Sequence, residues 1–415
     1  MISSCCRNFY KAPSTTLLVL GNSNIGHAVA ERGARLGHRV SVTTREEFSQ
    51  NKTGGVISYL HTPQEEQTNS LFWKNLVKEK IPSQSHLLVL NTIGGSVAAP
   101  GQTMEELNVH IPAAAIEGAL EGAGGKFDSC NVVHLSTSAA AHLDAPYGKT
   151  KRLGEEHLFA EPIDHLTIFR MSYVAEALFR KTVTQTYKEH HRLSAEEFAL
   201  LPFTPLLGSP WDYKKVVLQP VSMGDIATAV FNTSALPKGK RLINAVGREE
   251  MTQEDFFKFF TDLLGKKFRP IYIPIESAEI MARHHPFGHC VPYAVEFCSK
   301  DRVGDSPKEF EELLGAPAKT LAEVYDAEGD EEAELVIPRP PLSAFAGQVV
   351  KNLWQNPKVL PATLKAAGPL SRSLFWNKEP PTLSFNERPE SFRTYPWVSM
   401  SEEDFNEHSL NNRKL

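Results

Sequence analysis

The sequence is poor in cysteine, has no excess of basic residues and contains no long apolar run, and each absence excludes a class of protein. Its five cysteines form no CxxC pair, so no disulfide framework is predicted and a reducing compartment is expected. The formal net charge of -5 lacks the basic excess that non-specific nucleic-acid binding needs, which removes nucleic acid from the expected partners. Polar residues, Pro or Gly interrupt every apolar stretch before the roughly twenty residues that cross a bilayer, so no transmembrane helix is predicted.

The first residues carry basic and hydroxyl side chains and no acid before Glu31, a composition that permits a mitochondrial targeting segment. An apolar strand is predicted to begin near Thr16, so such a segment is confined to residues 1–14. The frayed terminus of a cytosolic protein is the alternative explanation of the same residues.

Short apolar runs alternate with segments of helical length through most of the chain. This alternation predicts an α/β fold, a Rossmann-type doubly wound parallel sheet whose strands are buried on both faces. The predicted strands are 16–20, 39–43, 55–59, 86–90, 131–135 and 165–169, with helices at 25–36 and 104–122 that end at Gly37 and Gly122. Strands at 216–220 and 242–245 and a helix at 253–264 with Thr252 as its N-cap are assigned to a smaller mixed α/β lobe.

Changes in composition give the domain boundaries. Residues 15–325 are predicted to form one nucleotide-binding domain, with its small second lobe at about 205–325. An acidic, proline-containing linker follows at 326–342. The C-terminal extension at 343–415 starts with a basic stretch with interleaved aromatic residues, which suits docking on an anionic lipid surface or in a groove of a partner protein. Packing against the protein's own body is the alternative for this extension.

A glycine-containing loop follows the first predicted strand. Gly21, Ser23 and Gly26 have the spacing of a GxGxxG phosphate loop with Ser in place of the middle glycine, and Asn24 and Ile25 lie between them. In this motif the first glycine permits the turn, the middle one lets the backbone approach a pyrophosphate, and the third packs the helix on the strand. The loop stands between a strand and a helix and therefore predicts dinucleotide binding, with the Ser23 hydroxyl available to contact phosphate.

The end of the second strand predicts which nucleotide is bound. An NAD site usually has an acid there to hold the ribose hydroxyls, whereas this chain has Thr44 and then Arg45. A guanidinium can bind a 2′-phosphate through two hydrogen bonds, so NADPH is predicted in preference to NADH. The alternative is that Arg45 is a solvated loop residue beside Glu46 and Glu47.

Tyr147 and Lys151 are four residues apart after the fifth strand and would share one face of a helix. The ammonium of Lys151 would then stabilise the phenolate and bind the nicotinamide ribose, which would make Tyr147 a general acid. Ser136, one of the hydroxyl residues at 136–138, is the predicted serine partner, at a short separation from the tyrosine. The alternative is a surface tyrosine and a solvated lysine, because this spacing is common by chance.

These features, with motifs at 169–172, 221–227 and 244–247, resemble an atypical extended member of the short-chain dehydrogenase/reductase family. Segments at 205–211, 219–221, 281–303 and 393–397 resemble one branch of it, the nucleotide-binding accessory subunits of mitochondrial respiratory complex I. The resemblance implies a bound NADPH that is not turned over and a scaffold role at the junction of the matrix and membrane arms. It also implies other complex I subunits as partners and a peripheral position on the matrix side of the mitochondrial inner membrane.

The motifs and the resemblance together give a set of nucleotide-binding residues: Gly21, Ser23, Asn24, Ile25, Gly26, Thr44, Arg45, Asn91, Thr92, Gly94, Ser136, Tyr147, Lys151 and Arg170. Ser136, Tyr147 and Lys151 are catalytic only if the protein is an enzyme. Two other functions fit the same residues: an active NADP-dependent oxidoreductase or epimerase acting on a carbonyl or sugar, and an NADPH-binding redox sensor. No metal site is predicted, because the histidines and cysteines at 284–298 lack paired ligand spacings.

Overall fold

The structure is a computed structural model of the 415-residue chain. It describes residues 15–45, 57–96, 98, 101–142, 146–175, 204–207, 216–263, 267–273, 303–304 and 306–326. Five predictions lie outside the described residues: the targeting segment at 1–14, the linker beyond residue 326, the docking extension at 343–415, the histidine- and cysteine-containing stretch at 284–298, and the branch-specific segments at 208–211, 281–302 and 393–397.

Eleven strands lie within the described residues. In chain order they are β1 Thr15–Leu20, β2 Arg39–Thr44, β3 Ile57–His61, β4 Gln84–Asn91, β5 Phe127–Thr137, β6 His165–Met171, β7 Thr204–Leu207, β8 Val217–Leu218, β9 Gly239–Ala245, β10 Met251–Thr252 and β11 Pro270–Ile273. Seven of them form one parallel sheet in the order β3-β2-β1-β4-β5-β6-β9. The chain winds outwards from β1 towards both edges, so the predicted doubly wound parallel sheet is confirmed.

Helices cover both faces of this sheet. The α-helices among the described residues are α1 Asn24–Arg35, α2 Ser70–Lys80, α3 Ile111–Ala123, α4 Ala139–His142, α5 Pro146–Ala160, α6 Met223–Asn232, α7 Gln253–Leu263, α8 Lys308–Leu314 and α9 Leu321–Asp326. Apolar side chains of α1, α6 and α8 pack in a core on one face, and those of α2, α3 and α5 pack in a second core on the other. Within the described ranges, none of the helices has both the length and the apolar character needed to span a bilayer.

Glycine residues shape two of these helices. Gly37 follows α1 with a φ of +80°, which agrees with its predicted place as the stop of that helix. Gly122 was expected to end the next predicted helix but lies inside α3, which is preceded by a π-helical turn at Glu106–His110. A Cβ at Gly118 would lie 2.3 Å from the Ser70 carbonyl oxygen, and one at Gly122 would meet the α2 backbone almost as closely. The two glycines therefore let α3 touch α2.

The predicted second lobe gives one of its strands to the main sheet. β9, which contains the predicted strand 242–245, pairs with β6 over the full length of both strands. Apolar periodicity identifies a strand but not its neighbour, because the pairing joins residues far apart in sequence. Of the other predicted lobe elements, the strand at 216–220 is β8, which pairs antiparallel with β10, and the helix at 253–264 is α7. The predicted N-cap agrees, since Thr252 Oγ1 accepts from the Asp255 N–H at 3.0 Å.

Candidate functional site

The chain turns sharply at Gly21, directly after β1. This residue has a φ of +91°, and a Cβ on it would lie 3.0 Å from both Thr92 Oγ1 and Ile93 Cγ1. A Cβ on Gly26 would lie 3.0 Å from Val19 Cγ1 and 3.1 Å from Thr92. Both glycines are therefore needed where they stand, one for the turn and one for the packing of α1 on β1.

Ser23 ends this turn as the N-cap of α1, and its hydroxyl oxygen accepts from the Gly26 N–H at 3.0 Å. The hydroxyl predicted to contact phosphate is thus used to cap the helix, as serine side chains commonly are. Asn24 is the first residue of α1, and Ile25 packs against the first core. The first turn of α1 carries no acidic residue, so its N–H groups and helix dipole favour an anion at this end.

The tip of β2 lies beside this turn. Thr44 is buried and its carbonyl oxygen accepts from the backbone N–H of Thr62 at 2.8 Å. Arg45 follows it and is exposed. His61, at the end of β3, lies with Nε2 3.1 Å from the Arg45 carbonyl oxygen. Within the described residues this tip carries no acid, and the exposed Arg45 places a cation there.

Asn91 and Thr92, predicted to touch the nucleotide, turn their side chains into the protein instead. The side-chain amide of Asn91 bonds Nδ1 of His134 at 2.7 Å, and its Oδ1 accepts from the Ile93 N–H at 3.3 Å. The Thr92 hydroxyl donates to the carbonyl oxygens of Leu20 and Gly21. Both residues hold the loop after β4 in place, and their contact with a nucleotide stays a prediction.

Ser136 and Arg170, both predicted as site residues, share one partner in the structure. The Ser136 hydroxyl donates to the Glu155 carboxylate at 2.5 Å, and the same carboxylate binds the Arg170 guanidinium through both oxygens. The physical reason is the alternation of a strand: Ser136 faces the helix layer that contains α5, where a buried carboxylate needs partners. The assignments of Ser136 as the catalytic serine and of Arg170 as a nucleotide ligand stay predictions, and in the structure both side chains bind Glu155.

Tyr147 and Lys151 lie one turn apart on α5, as predicted. The Lys151 ammonium is buried, donates to the Leu135 carbonyl oxygen at 2.8 Å and lies 3.4 Å from Nε2 of His134. Burial lowers the pKa of Lys151 to about 8, against an opposing contribution from Glu155. The ammonium is thus bound to the strand layer beneath the site.

Gly94, the remaining predicted ligand, packs directly against the Lys151 side chain. Its φ is +141°, and a Cβ on it would lie 3.2 Å from the Lys151 Nζ and 3.0 Å from Asn108 Oδ1. Asn108 is a site residue that sequence reasoning missed. It lies in the π-helical turn, exchanges two hydrogen bonds with the Gly95 backbone and donates to Thr150 Oγ1 at 3.0 Å. The signal in the sequence that could have found Asn108 is an amide side chain on the buried side of a helical segment.

Solved structures of other proteins share this fold, although their sequences differ from this one. No family model and no curated protein matches the sequence. Among solved structures, UDP-glucose 4-epimerase of Thermotoga maritima with UDP-glucose has a TM-score of 0.53 at 16% identity, over 74% of this chain and 95% of that one. The nucleoside-diphosphate-sugar epimerase of Staphylococcus aureus gives 0.52 at 13% identity, over 73% and 97%. The Bordetella bronchiseptica enzyme WbmG in complex with NAD gives 0.51 at 13% identity, over 74% and 89%.

The chain shares its fold with these three structures. At such low identity the likeness concerns the fold alone, and it agrees with the predicted Rossmann-type parallel sheet. In the described part of the chain, no group of three or more histidine, cysteine or acidic side chains could hold a metal ion.

Proposed function

We propose that this protein binds NADPH across the carboxyl ends of β1, β2 and β4 and keeps it as a fixed part of the fold, without turning it over. The observation that carries the proposal is the turn at Gly21 into the capped start of α1. Both glycines keep the turn and the start of α1 close to β1, because a Cβ on either would crowd Thr92. The helix end offers N–H groups and a positive dipole to a pyrophosphate. Arg45 supplies a cation for the 2′-phosphate.

The predicted catalytic groups are bound to other parts of the protein, which supports the proposed absence of turnover. Ser136 is bound to Glu155, and the ammonium of Lys151 is bound to the Leu135 carbonyl oxygen. A general acid works through a positioned neighbour that stabilises its charged form, and here the neighbouring lysine is held by the strand layer. When bound, NADPH would supply hydride chemistry. In this proposal the residues around it bind the nucleotide and are not arranged to turn it over.

The wider role follows from the resemblance to complex I accessory subunits. We propose that the protein is such a subunit, peripheral on the matrix side of the mitochondrial inner membrane, with other subunits or anionic lipid contacting the extension at 343–415. The support is the set of branch-specific segments, among which Gln219 and Val221 lie in the described structure. Gln219 Oε1 accepts from the Gly304 N–H at 2.9 Å, and Val221 forms a bridge with Val174 beside the main sheet.

An active oxidoreductase or epimerase is the second candidate. It is favoured by Tyr147 and Lys151, which keep the one-turn spacing of a Tyr-Lys pair on α5, and by the fold shared with nucleotide-sugar epimerases. Ser138 would then be the serine, since it follows the end of β5 and its own backbone is fixed by a hydrogen bond from its N–H to the Met171 carbonyl oxygen at 2.8 Å.

Two measurements on the native protein test these candidates. The tagged full-length chain, extracted from its own cells in mild detergent, should migrate with a very large membrane assembly on a native gel and release stoichiometric NADPH on denaturation. Tyr147→Phe should leave both results unchanged, and neither form should consume NADPH with a panel of carbonyl compounds or epimerise nucleotide sugars. A small, monodisperse species whose turnover is abolished by Tyr147→Phe would overturn the proposal in favour of the second candidate.

A further inference from the structure

Three buried threonines at the tips of the central strands bind backbone groups with their side chains. We name Thr43, Thr62 and Thr92 the threonine collar. Thr43 Oγ1 accepts from the Gly21 N–H at 2.8 Å. The Thr92 hydroxyl donates to the carbonyl oxygens of Gly21 at 3.2 Å and Leu20 at 3.0 Å, so Gly21 is held by a side chain on each of its polar groups.

The third member acts one strand further out. Thr62 follows β3, and both its backbone N–H and its hydroxyl donate to the Thr44 carbonyl oxygen, at 2.8 and 3.2 Å. Arg45, which carries the cation at the tip of β2, is the next residue in the chain. Thr62 therefore fixes the backbone from which the Arg45 side chain extends.

The positions of these bonds indicate that they do more than stabilise the fold as a whole. Strand ladders and helices satisfy most backbone groups of the domain, whereas the collar binds groups at the two strand tips that border the Gly21 turn. A glycine turn is the backbone with most freedom to lose, and holding it in one conformation in advance lowers the entropy lost when a ligand binds. All three side chains are nearly inaccessible, at 1%, 2% and 8% exposure, so water competes little for these bonds.

We infer that the threonine collar holds the nucleotide-binding backbone in its binding shape before the nucleotide arrives. Thr43 and Thr92 position the turn that receives the pyrophosphate, and Thr62 positions the strand tip that receives the 2′-phosphate. The inference rests on the proposed dinucleotide binding. It makes the three threonines positioning residues, whose removal affects the two subsites separately.

The first test compares the affinities of the full-length protein for NADPH and NADH by titration calorimetry. Thr43→Val and Thr92→Val keep the side-chain shape and remove the hydroxyl, so each should weaken both nucleotides by about three- to tenfold, the effect of one hydrogen bond. Thr62→Val should weaken NADPH by a similar factor and leave NADH unchanged. The matched serine variants keep the hydroxyl and should bind nearly as the unmodified protein does. Equal losses for both nucleotides in all three valine variants, without rescue by serine, would overturn the inference.

Amide hydrogen exchange of the nucleotide-free protein gives a second test that needs no ligand. The Gly21 amide should exchange severalfold faster in Thr43→Val than in the unmodified protein or in Thr43→Ser, because its acceptor is lost. Unchanged exchange would contradict the collar even if nucleotide binds. If the unmodified protein binds neither nucleotide, the proposed function fails, and the exchange rates alone then decide whether the collar holds the turn.

Discussion

Glu155 binds the Arg170 guanidinium with both carboxylate oxygens, each 3.0 Å from Nε, between α5 and β6. Ser136 donates to the same carboxylate, so Glu155 is buried but fully satisfied. Replacing Glu155 with Gln should lower the free energy of unfolding by about 3 kcal/mol, the lower part of the range for breaking a buried pair, because Arg170 keeps some solvent contact. Urea unfolding followed by circular dichroism measures the loss. Glu156→Gln, an exposed neighbour on α5, is the control and should change little.

The choice between NADPH and NADH is predicted to depend on Arg45. Arg45→Gln removes the cation at the tip of β2 and should weaken NADPH about ten- to a hundredfold, the effect of hydrogen bonds to a charged group. NADH has no 2′-phosphate, and its affinity should stay the same. Calorimetric titration with both nucleotides measures the difference. A similar loss for both would mean that Arg45 supports the turn and does not recognise the phosphate.

Three buried histidines are predicted to make the fold sensitive to acid. Burial lowers the pKa of His134, His86 and His165 from 6.5, with nearby positive groups as a further cause. Below about pH 6.5 the unfolded chain takes up protons that the folded chain resists, so stability falls as the pH drops from 6.5 through the lowered values. Urea midpoints at pH 7.5, 6.5 and 5.5 should therefore decrease in that order.

A single variant isolates part of this pH effect. His86 contacts Ser129 at 2.7 Å and Ser234 at 3.2 Å, and Gln can bond to both hydroxyls without taking up a proton. His86→Gln should flatten the fall in stability between pH 6.5 and 5.5. His157→Gln, at an exposed position on α5, should leave the fall as it is. Equal slopes for the unmodified protein and His86→Gln would rule out a contribution from His86.

The contact between α2 and α3 is predicted to tolerate no side chain at Gly118. Gly118→Ala would place Cβ 2.3 Å from the Ser70 carbonyl oxygen, so the helices must separate. Overpacking of this kind costs about 1–3 kcal/mol, which exceeds the gain from the better helix propensity of alanine. Thermal unfolding measures the loss. Glu117→Ala, on the exposed side of α3, should stay close to the unmodified protein.

The sheet and the phosphate loop could be predicted because their signals are local. Each buried strand is an apolar run, and the glycine spacing at 21–26 is read directly beside one. The roles of individual side chains were harder to predict from the sequence. Ser136 has a hydroxyl at the expected strand end, but its direction depends on Glu155, which belongs to a helix nineteen residues later. Whether a polar side chain faces a ligand or the protein is decided by such distant partners.

The threonine collar gave almost no signal in the sequence. Thr43 and Thr62 look like ordinary polar ends of apolar runs, and Thr92 was predicted as a direct ligand because of its place after β4. Their bonds to the turn and to the tip of β2 exist only once the four neighbouring strands β3, β2, β1 and β4 end at the same edge of the sheet. The strand at 242–245 was predicted as part of the smaller lobe, and its place in the main sheet was missed for a related reason, since its partner β6 is separated from it by the whole chain between residues 171 and 239.

That separation has a consequence for how the protein is made. β6 is almost entirely buried in the finished sheet, yet its outer edge has no partner until β9 has left the ribosome. During synthesis an apolar strand is therefore open to pairing with another chain, the hazard of any unprotected edge. A chain that stops before residue 239 would keep this edge permanently and should aggregate, whereas the longer chain covers it with β9, the edge strand of the main sheet.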